Sequence, residues 1–374
     1  MTQYMTGSET TRRERLLDTI VVRSSFQTPL VSRLPHETTT HIVTEWPMDE
    51  PFQSSDNFRN TSDPHIDSKR EGSAFTYRTP HYPVRARTIA EIKHHGMEMS
   101  GSDRPAVIAS AENPWDYRSG QLFTGHLNSI DNTCMFGLGS PETSGSSDER
   151  RTQGLISSAC WTGFERMHGT AGKTSIEDVY GVTIPASMWS VAYDAGHANL
   201  TLDMFYNNLV APLQTAGADM ETAPWAFQCG YHVMQRVSRF MIADGGIPIN
   251  ERERNADDGM GNDHLSTFKL ASGVIVTFRT NRWLSNSDGG TFVINNTDYT
   301  PGTPTAEGSQ SRTCYIDQTI IGHEPGSVKI LWYREPGFRK VQTDGDYSRV
   351  ACVSEFALKV DHPLCVAAIT NCLS

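Results

Sequence analysis

The chain has 374 residues and carries a formal net charge of −11, because 43 acidic side chains outnumber 32 basic ones. Hydrophobic residues make up 37% of it, which suits a folded protein, and the length allows two or three compact domains or one elongated one. The acidic balance excludes a protein that coats nucleic acid by neutralising phosphates, but it permits one that encloses nucleic acid.

The N-terminal third predicts an arm followed by a hairpin. Residues 1–38 are polar and contain too little apolar surface to form a core of their own. Residues 39–46 have a strand-like pattern, and a second extended stretch covers residues 74–99. Residues 47–73 between them are polar and lack apolar periodicity. Two extended arms around a polar excursion predict a projecting hairpin, and the alternative is a floppy insertion.

The strongest predicted helix covers residues 114–136. Asn113 is a good N-cap, Pro114 suits the first helical position, and Asp116 favours the positive end of the helix dipole. Gly137 is expected to end the helix, which would be roughly 35 Å long. One stripe at three- and four-residue spacing comprises Trp115, Leu122, Phe123, His126, Leu127, Ile130 and Cys134.

Helices and strands alternate in the middle of the chain. A helix is predicted over residues 202–216, with Thr201 as its cap, Gly217 at its end and a bend near Pro212. A further helix is predicted over residues 232–241. Strands are predicted at Trp225–Cys229, 267–270, 274–280, 291–294 and 328–332.

The C-terminal 35 residues predict a strand and an apolar end. In residues 349–360 the even positions are apolar except Ser354, so one face is buried and the other is wet or paired. Asp361-His362-Pro363 breaks the strand, and the apolar residues 364–369 follow. We therefore expect the end of the sequence to belong to a core, and the element order predicts an α+β fold.

No motif predicts a catalytic, cofactor-binding or metal residue. The segment from Gly169 to Thr174 hints at a phosphate loop, but Met167 stands where that motif needs glycine. His94 and His95 are adjacent, so in a strand they point to opposite faces and would not chelate a metal as a pair. The acidic segment 257–263 lacks the spacing of a calcium loop. Neither G-x-S-x-G nor H-E-x-x-H occurs, which favours a structural role.

The seven cysteines and the absence of long apolar runs predict a chain that is made in a cytoplasm and does not span a membrane. The cysteines are scattered, odd in number and without C-x-x-C spacing, so we expect buried, reduced thiols made in a cytoplasm. The N-terminus has no apolar signal-like segment, and no 18-residue apolar run occurs. We therefore expect a chain that is neither secreted by that route nor membrane-spanning.

Five segments, in order along residues 28–374, resemble tailed-bacteriophage major capsid proteins of the SU10-type major head protein family, which have the HK97-like fold. They are Thr28-Pro29-Leu30 with residues 39–46 (TTHIVTEW), the capped helix with residues 150–155 (RRTQGL), residues 200–217, residues 280–284 (TNRWL), and residues 345–363. Two regions depart from the family. Residues 47–73 are longer and more polar than its hairpin tip, and residues 176–199 look like an insertion.

The resemblance implies an α+β subunit of four parts: an N-terminal arm at 1–38, an E-loop hairpin at 39–99, an axial domain at 165–311, and a peripheral domain. The peripheral domain would comprise residues 100–164, with the spine helix 114–136, and the returning strands of residues 312–374. Lys69 occupies the hairpin, where a cross-linking lysine would sit in a chain-mail capsid, but we interpret it as a solvated residue.

The resemblance also implies a function and partners. The expected function is a major capsid protein that self-assembles into hexamers and pentamers of an icosahedral head around double-stranded DNA, without sequence-specific binding, cofactor or membrane. Cement or decoration protein, scaffold and portal are further expected partners. The chain would be made in the host cytoplasm and reside in the virion. Alternatives are an encapsulin-like nanocompartment shell and an unrelated α+β enzyme or adhesive module.

Overall fold

The computed structural model describes residues 28–49, 70–72, 83–100, 114–137, 139, 150–161, 188–218, 220, 224–243, 267–270, 273–285, 291–296, 310–341 and 346–372. The strands in these ranges are β1 His36–Thr38, β2 Val43–Met48, β3 Val84–Ile89, β4 Glu91–Ser100, β5 Val191–Asp194, β6 Trp225–Cys229, β7 Thr267–Lys269, β8 Ile275–Thr280, β9 Thr291–Asn296, β10 Gln310–Tyr315, β11 Ile320–His323, β12 Val328–Lys340, β13 Tyr347–Val360 and β14 Val366–Thr370. The longer helices are α1 Pro114–Phe136, α2 with the consecutive segments Leu202–Phe205, Tyr206–Val210 and Ala211–Ala216, and α3 Tyr231–Ala243. Short helical turns lie at Ser157–Trp161, Arg282–Leu284, Ile316–Gln318 and Pro363–Cys365. The arrangement is α+β, as predicted.

Helix α1 has the predicted bounds, but glycine ends it for a different reason. Gly137 is absent from the glycines with positive φ, so no left-handed turn requires it. A Cβ at Gly137 would lie 2.6 Å from the carbonyl oxygen of Thr152 and 2.7 Å from that of Thr133. The Gly154 N–H donates to the Gly137 carbonyl at 2.7 Å. Glycine is therefore needed because two backbone segments touch where α1 ends.

Helix α2 confirms its predicted caps. The Thr201 hydroxyl accepts a hydrogen bond from the Met204 N–H, and Gly217 closes the helix with φ 98°. The middle segment, Tyr206–Val210, is π-helical and ends two residues before Pro212 of the last segment. Proline removes a backbone donor, and a π-helical turn is one way a helix accommodates such a break. The expected distortion thus begins one turn before the proline.

A four-stranded sheet has the order β1-β12-β13-β4, in which only β1 and β12 pair in parallel. Register shifts between Trp332 and Arg334 and between Arg334 and Gly337 interrupt the β12–β13 pairing. Helix α1 packs on one face of this sheet, where Phe356 and Ile130 lie in the same hydrophobic core.

The alternation predicted for residues 349–360 holds only in the first half of β13. Arg349 is exposed while Val350 and Cys352 are buried, but every residue from Ser354 to Leu358 is buried. Other parts of the protein cover both faces of this second half of β13. The face that was expected to be either solvent-exposed or paired is therefore paired.

A six-stranded sheet has the order β5-β14-β11-β6-β8-β7 and separates two cores. Phe227, Phe278 and Ile369 face the core that also holds α2, whereas Ile321 and Ala368 face the core that holds α1. The apolar C-terminal residues therefore form an interior strand, β14, as expected.

Three features of the sheets differ from the segment boundaries suggested by the sequence. Residues 191–194, interpreted as part of an insertion, form β5 and pair with β14. The last strand of the predicted hairpin, β4, pairs with β13 in the four-stranded sheet. The six-stranded sheet draws strands from both sides of the predicted boundary at residue 311. The four-part division itself remains a prediction.

Candidate functional site

The candidate site is a set of buried connections that hold the extended segments to the two sheets. One of them is the carboxylate of Asp131 on α1. Its Oδ1 accepts the N–H groups of Leu30 at 2.8 Å and Val31 at 2.7 Å, and its Oδ2 accepts the indole N–H of Trp283 at 2.6 Å. Burial raises the pKa of Asp131, and these three hydrogen bonds oppose that rise. One side chain therefore joins the segment before β1, helix α1 and the turn after β8.

A chain of neutral polar groups ties α1 to β4 and β13. The Nδ1 atoms of His95 and His126 lie 2.8 Å apart, and Nε2 of His126 lies 2.8 Å from Oγ of Ser354. One Nδ1 must donate and the other accept, which two neutral rings permit. Burial, followed by the charges of His95, Lys93 and His94, lowers the pKa of His126 to about 4. Burial, followed by the charges of Lys93 and His94, lowers the pKa of His95.

The opposite face of the four-stranded sheet holds a buried ion pair. Glu355 on β13 binds the guanidinium of Arg334 on β12, and Arg150 lies 3.6 Å from its second oxygen. The buried carboxylate thus has two cationic partners, which offset the cost of removing its charge from water. The ion pair therefore holds Arg150, the first described residue after residue 139, against β13.

Thr152 completes the edge of β13 where β4 stops pairing with it. The last β13–β4 pair is Phe356 with Glu91. Two residues later, the Leu358 N–H donates to the Thr152 hydroxyl at 3.0 Å, and the Thr152 N–H donates to the Glu91 carboxylate at 3.1 Å. A side chain therefore supplies the acceptor that the neighbouring strand no longer provides.

The β2–β3 hairpin is anchored at its base. The Trp46 indole N–H donates to the Asp361 carbonyl at 2.9 Å, and the Thr88 hydroxyl donates to the Leu358 carbonyl at 2.9 Å. The Lys359 ammonium lies 5.3 Å from the Trp46 ring centroid. Trp46 also belongs to a small separate core with Met48, Ala86, Met188 and Trp189. The base of the hairpin is therefore held against the end of β13.

Large apolar side chains are exposed along and beside β12 and β13. Tyr333, Phe338, Val341 and Tyr347 are each at least 40% exposed. Phe338 lies next to Phe123 of α1, with ring centroids 5.7 Å apart. Exposed apolar area of this kind is available for contact with another molecule.

Of the residues weighed in the sequence for metal or phosphate chemistry, the structure describes His94 and His95, and these two do not form a metal site. His95 contacts His126, and His94, its neighbour on β4, is exposed. Within the described ranges, no three His, Cys, Asp or Glu side chains are placed to hold a metal ion. The segments 169–174 and 257–263, together with Lys69, lie outside the described residues. No described helix has the length and apolar character needed to cross a membrane.

Sequence reasoning missed the residues that make the connections. The sequence does not identify the partners of Asp131, because they are about a hundred or more positions away along the chain. His126 lies on the predicted apolar stripe of α1, but the stripe does not predict its pairing with His95. A local signal existed for Asp131, because Leu127, Cys134 and Met135, one helical turn away, are apolar, and a carboxylate among apolar residues requires partners.

Comparison with solved structures shows the same fold at low sequence identity. The capsid subunit of cyanophage A-1(L) has 11% identity, a TM-score of 0.57 and full coverage of both chains. The capsid of a native GTA particle has 10% identity and a TM-score of 0.55, with 100% of this chain and 99% of that chain covered. The capsid of Myoviridae phage XM1 has 12% identity and a TM-score of 0.50, with 96% of each chain covered. No curated protein matches the chain.

A family model settles the relationship that the fold suggests. The model of the SU10 major capsid protein matches residues 1–372, which confirms the resemblance drawn from five short segments. The match covers the buried connections and the stretches between them that the structure does not describe. The chain belongs to the SU10 major capsid protein family and is a phage capsid protein with the HK97-like α+β fold.

Proposed function

We propose that the protein assembles into hexamers and pentamers of an icosahedral phage head that encloses double-stranded DNA. The family match over residues 1–372 is the observation that carries the proposal. Closed symmetry multiplies contacts that are individually weak, because every subunit makes each of them. The protein acts structurally, without cofactor or catalytic residues.

The described surface supports a role in assembly. The exposed side chains Tyr333, Phe338, Val341 and Tyr347 offer apolar area that a neighbouring subunit can cover. The β2–β3 hairpin is a two-stranded sheet, which is marginal alone, yet its base is held by Trp46 and Thr88. A firmly held base suits a hairpin that reaches another subunit.

The charge of the chain supports enclosure of DNA without tight adhesion. A subunit with a net charge of −11 repels the phosphate backbone on average, so confinement by the shell holds the genome inside. None of the seven cysteines, all of which lie in the described ranges, forms a disulfide, which suits synthesis in the reducing cytoplasm of a bacterial host.

The four-part organisation is a second component of the proposal. The N-terminal arm would comprise residues 1–38, the E-loop 39–99, the axial domain 165–311, and the peripheral domain 100–164 with 312–374. Asp131 supports the arm assignment, because it fastens Leu30 and Val31 to α1. Scaffold, portal and cement or decoration proteins are the accessory partners that such a head would use.

Negative-stain electron microscopy with size-exclusion chromatography of the protein expressed alone tests the proposal. We expect capsomer rings or closed shells. A uniform monomer would call for expression with a scaffold, and a chain that stays monomeric there too contradicts the assembly role. Shells that contain an enzyme cargo instead of DNA when isolated from the natural host would indicate a nanocompartment.

A further inference from the structure

Two histidines from different elements share one hydrogen bond between helix α1 and the four-stranded sheet. Nδ1 of His95 on β4 lies 2.8 Å from Nδ1 of His126 on α1, and the rings meet edge to face with centroids 5.1 Å apart. Nε2 of His126 lies 2.8 Å from Oγ of Ser354 on β13, and both of these residues are fully buried. The contact therefore joins the helix to two neighbouring strands.

The contact between the two Nδ1 atoms limits how many protons the pair can hold. A hydrogen bond between two nitrogens needs one proton between them, which two neutral rings supply. One further proton is tolerated, because an imidazolium at either position donates from its Nδ1 to the lone pair of the other ring. With two further protons both Nδ1 atoms are donors, and neither finds an acceptor in the other ring 2.8 Å away. The doubly protonated pair must therefore separate.

The positive charges near the pair on β4 oppose the second proton. Burial comes first among the causes that lower the pKa of both rings, and the charges of Lys93 and His94 add to it. Lys93 is itself paired with Glu91 at 2.9 Å. The charge of His95 also helps to lower the pKa of His126 to about 4, as expected when the second proton enters a pair that already carries one.

The other elements packed against the pair bring no counter-charge to it. On β13, Cys352 is in register with His95, and burial raises the pKa of its thiol, which is therefore neutral. Glu355, the nearest carboxylate on β13, belongs to the ion pair on the opposite face of the sheet. On α1, the carboxylate of Asp131 accepts N–H groups of other segments. Over the residues that the structure describes, neither ring is hydrogen-bonded to a carboxylate.

We propose that the contact between His95 and His126 is an acid-sensitive attachment of β4 to α1, closed while the rings share one proton and opened when both are positively charged. Strand β3 ends at Ile89 and β4 begins at Glu91, so β4 directly continues the β2–β3 hairpin. A ring whose pKa is lowered by its folded surroundings binds a proton more readily once released, so falling pH favours the open form. The opening is local, because the backbone ladder between β4 and β13 does not involve the rings. The inference concerns the folded subunit and does not depend on its assembly.

Thiol labelling of the full-length subunit tests the opening at Cys352. This side chain is fully buried, and its in-register neighbours His95 and Phe338 each contact α1. Movement of α1 away from β4 therefore uncovers it. With a dipyridyl disulfide, which reacts with thiols even in acid, the sulfur of Cys352 attacks the disulfide, a mixed disulfide forms, and a thiopyridone leaves with the thiol proton. Cys229, fully buried in the other core, is the internal reference, and peptide mass spectrometry quantifies both labels.

We expect the labelling rate of Cys352 relative to that of Cys229 to rise at least about tenfold as pH falls from 7 to about 4, because local opening exposes the thiol. His95→Gln should remove this rise, since an amide bonds His126 at any pH and leaves a single titrating ring. His94→Gln is the matched control, because His94 is the adjacent residue of β4 and is exposed on its opposite face. This control should retain the wild-type rise. If His95→Gln does not fold, His126→Gln takes its place in the same experiment.

A wild-type ratio that stays constant as pH falls overturns the inference, whether neither thiol is labelled faster or acid unfolds the whole subunit and exposes both. An equal rise in the wild type and in His95→Gln protein overturns it as well. Failure of the wild-type chain to form any capsomer or shell contradicts the proposed function and leaves these labelling results unaffected. The two failures are therefore distinguishable.

Discussion

Asp131 shows how one residue can hold three segments together. Its carboxylate satisfies three N–H donors, from Leu30, Val31 and Trp283. We expect Asp131→Ala to lower the free energy of unfolding by at least about 2 kcal/mol, because buried donors lose their acceptor. Chemical denaturation of the dissociated subunit measures the change.

Asp116→Ala is the control for this prediction, since Asp116 is exposed in the first turn of the same helix. Its loss should cost less than about 1 kcal/mol through the helix dipole. Equal effects of the two substitutions would show that the Asp131 hydrogen bonds contribute no more than a surface charge.

The histidine pair makes a pH-dependent contribution to stability. His126 binds a proton near pH 4 in the folded state, against an ordinary pKa of 6.5 when unfolded. The unfolded state therefore binds more protons between these values, and the free energy of unfolding falls as pH falls from 6.5 to 4. We expect His126→Gln to make this fall shallower. It should not vanish, because His323 has a similarly lowered pKa.

Urea unfolding of dissociated subunits at several pH values between 7 and 4 measures that slope. His41→Gln is the matched control, because His41 is exposed. Its slope should equal that of the wild type. A His126→Gln slope parallel to the wild type would mean that burial of this ring does not govern the acid response.

At the scale of elements, the close contact between the end of α1 and the following segment requires glycine, which has no side chain, at the point of contact. A Cβ at Gly154 would lie 2.5 Å from the Gly137 nitrogen and 2.8 Å from the Met135 carbonyl oxygen, both backbone atoms. We therefore expect Gly154→Ala to destabilise the subunit by more than about 2 kcal/mol, because backbone must shift. Thermal unfolding by circular dichroism checks this.

Gly125→Ala makes the same chemical change on the exposed side of α1, where a Cβ meets nothing within 4 Å. It should stabilise the subunit by about 0.5–1 kcal/mol, because alanine favours helix. Two glycine substitutions with opposite signs would separate close packing from helix propensity. Stabilisation by both would contradict the close approach of the two segments.

Elements set by local chemistry were predictable from the sequence. Helix α1, the caps of α2 and strand β6 follow from periodicity, Thr201, Gly217 and an apolar run. Short strands such as β5 and β11 carry no such local signal, since four residues cannot show a period. Their existence depends on pairing with β14, which the sequence does not specify. For the same reason the buried connections of the site were not foreseen, because Asp131 and its partners are adjacent only after folding.

At the scale of the whole molecule, strand β14 joins the two cores. It lies between β5 and β11, and all five of its residues are buried. Val366 and Ala368 face the core that holds α1, while Ala367 and Ile369 face the core that holds α2. The last strand is therefore shared, and neither core is complete until the end of the chain is in place.

A chain that ends at Cys365 should not form a cooperatively folded subunit. Such a chain lacks β14, which leaves a gap between β5 and β11. Burial of each Val or Ile side chain contributes about 1.5–3 kcal/mol, against a total stability of about 5–15 kcal/mol. A chain that ends at Cys372 keeps every described residue, and we expect it to unfold with the midpoint of the full-length protein. Circular dichroism melts of the two truncated chains measure the difference. A sharp transition near the wild-type midpoint for the shorter chain would contradict the shared-strand interpretation, because it would show that the two cores can close without β14.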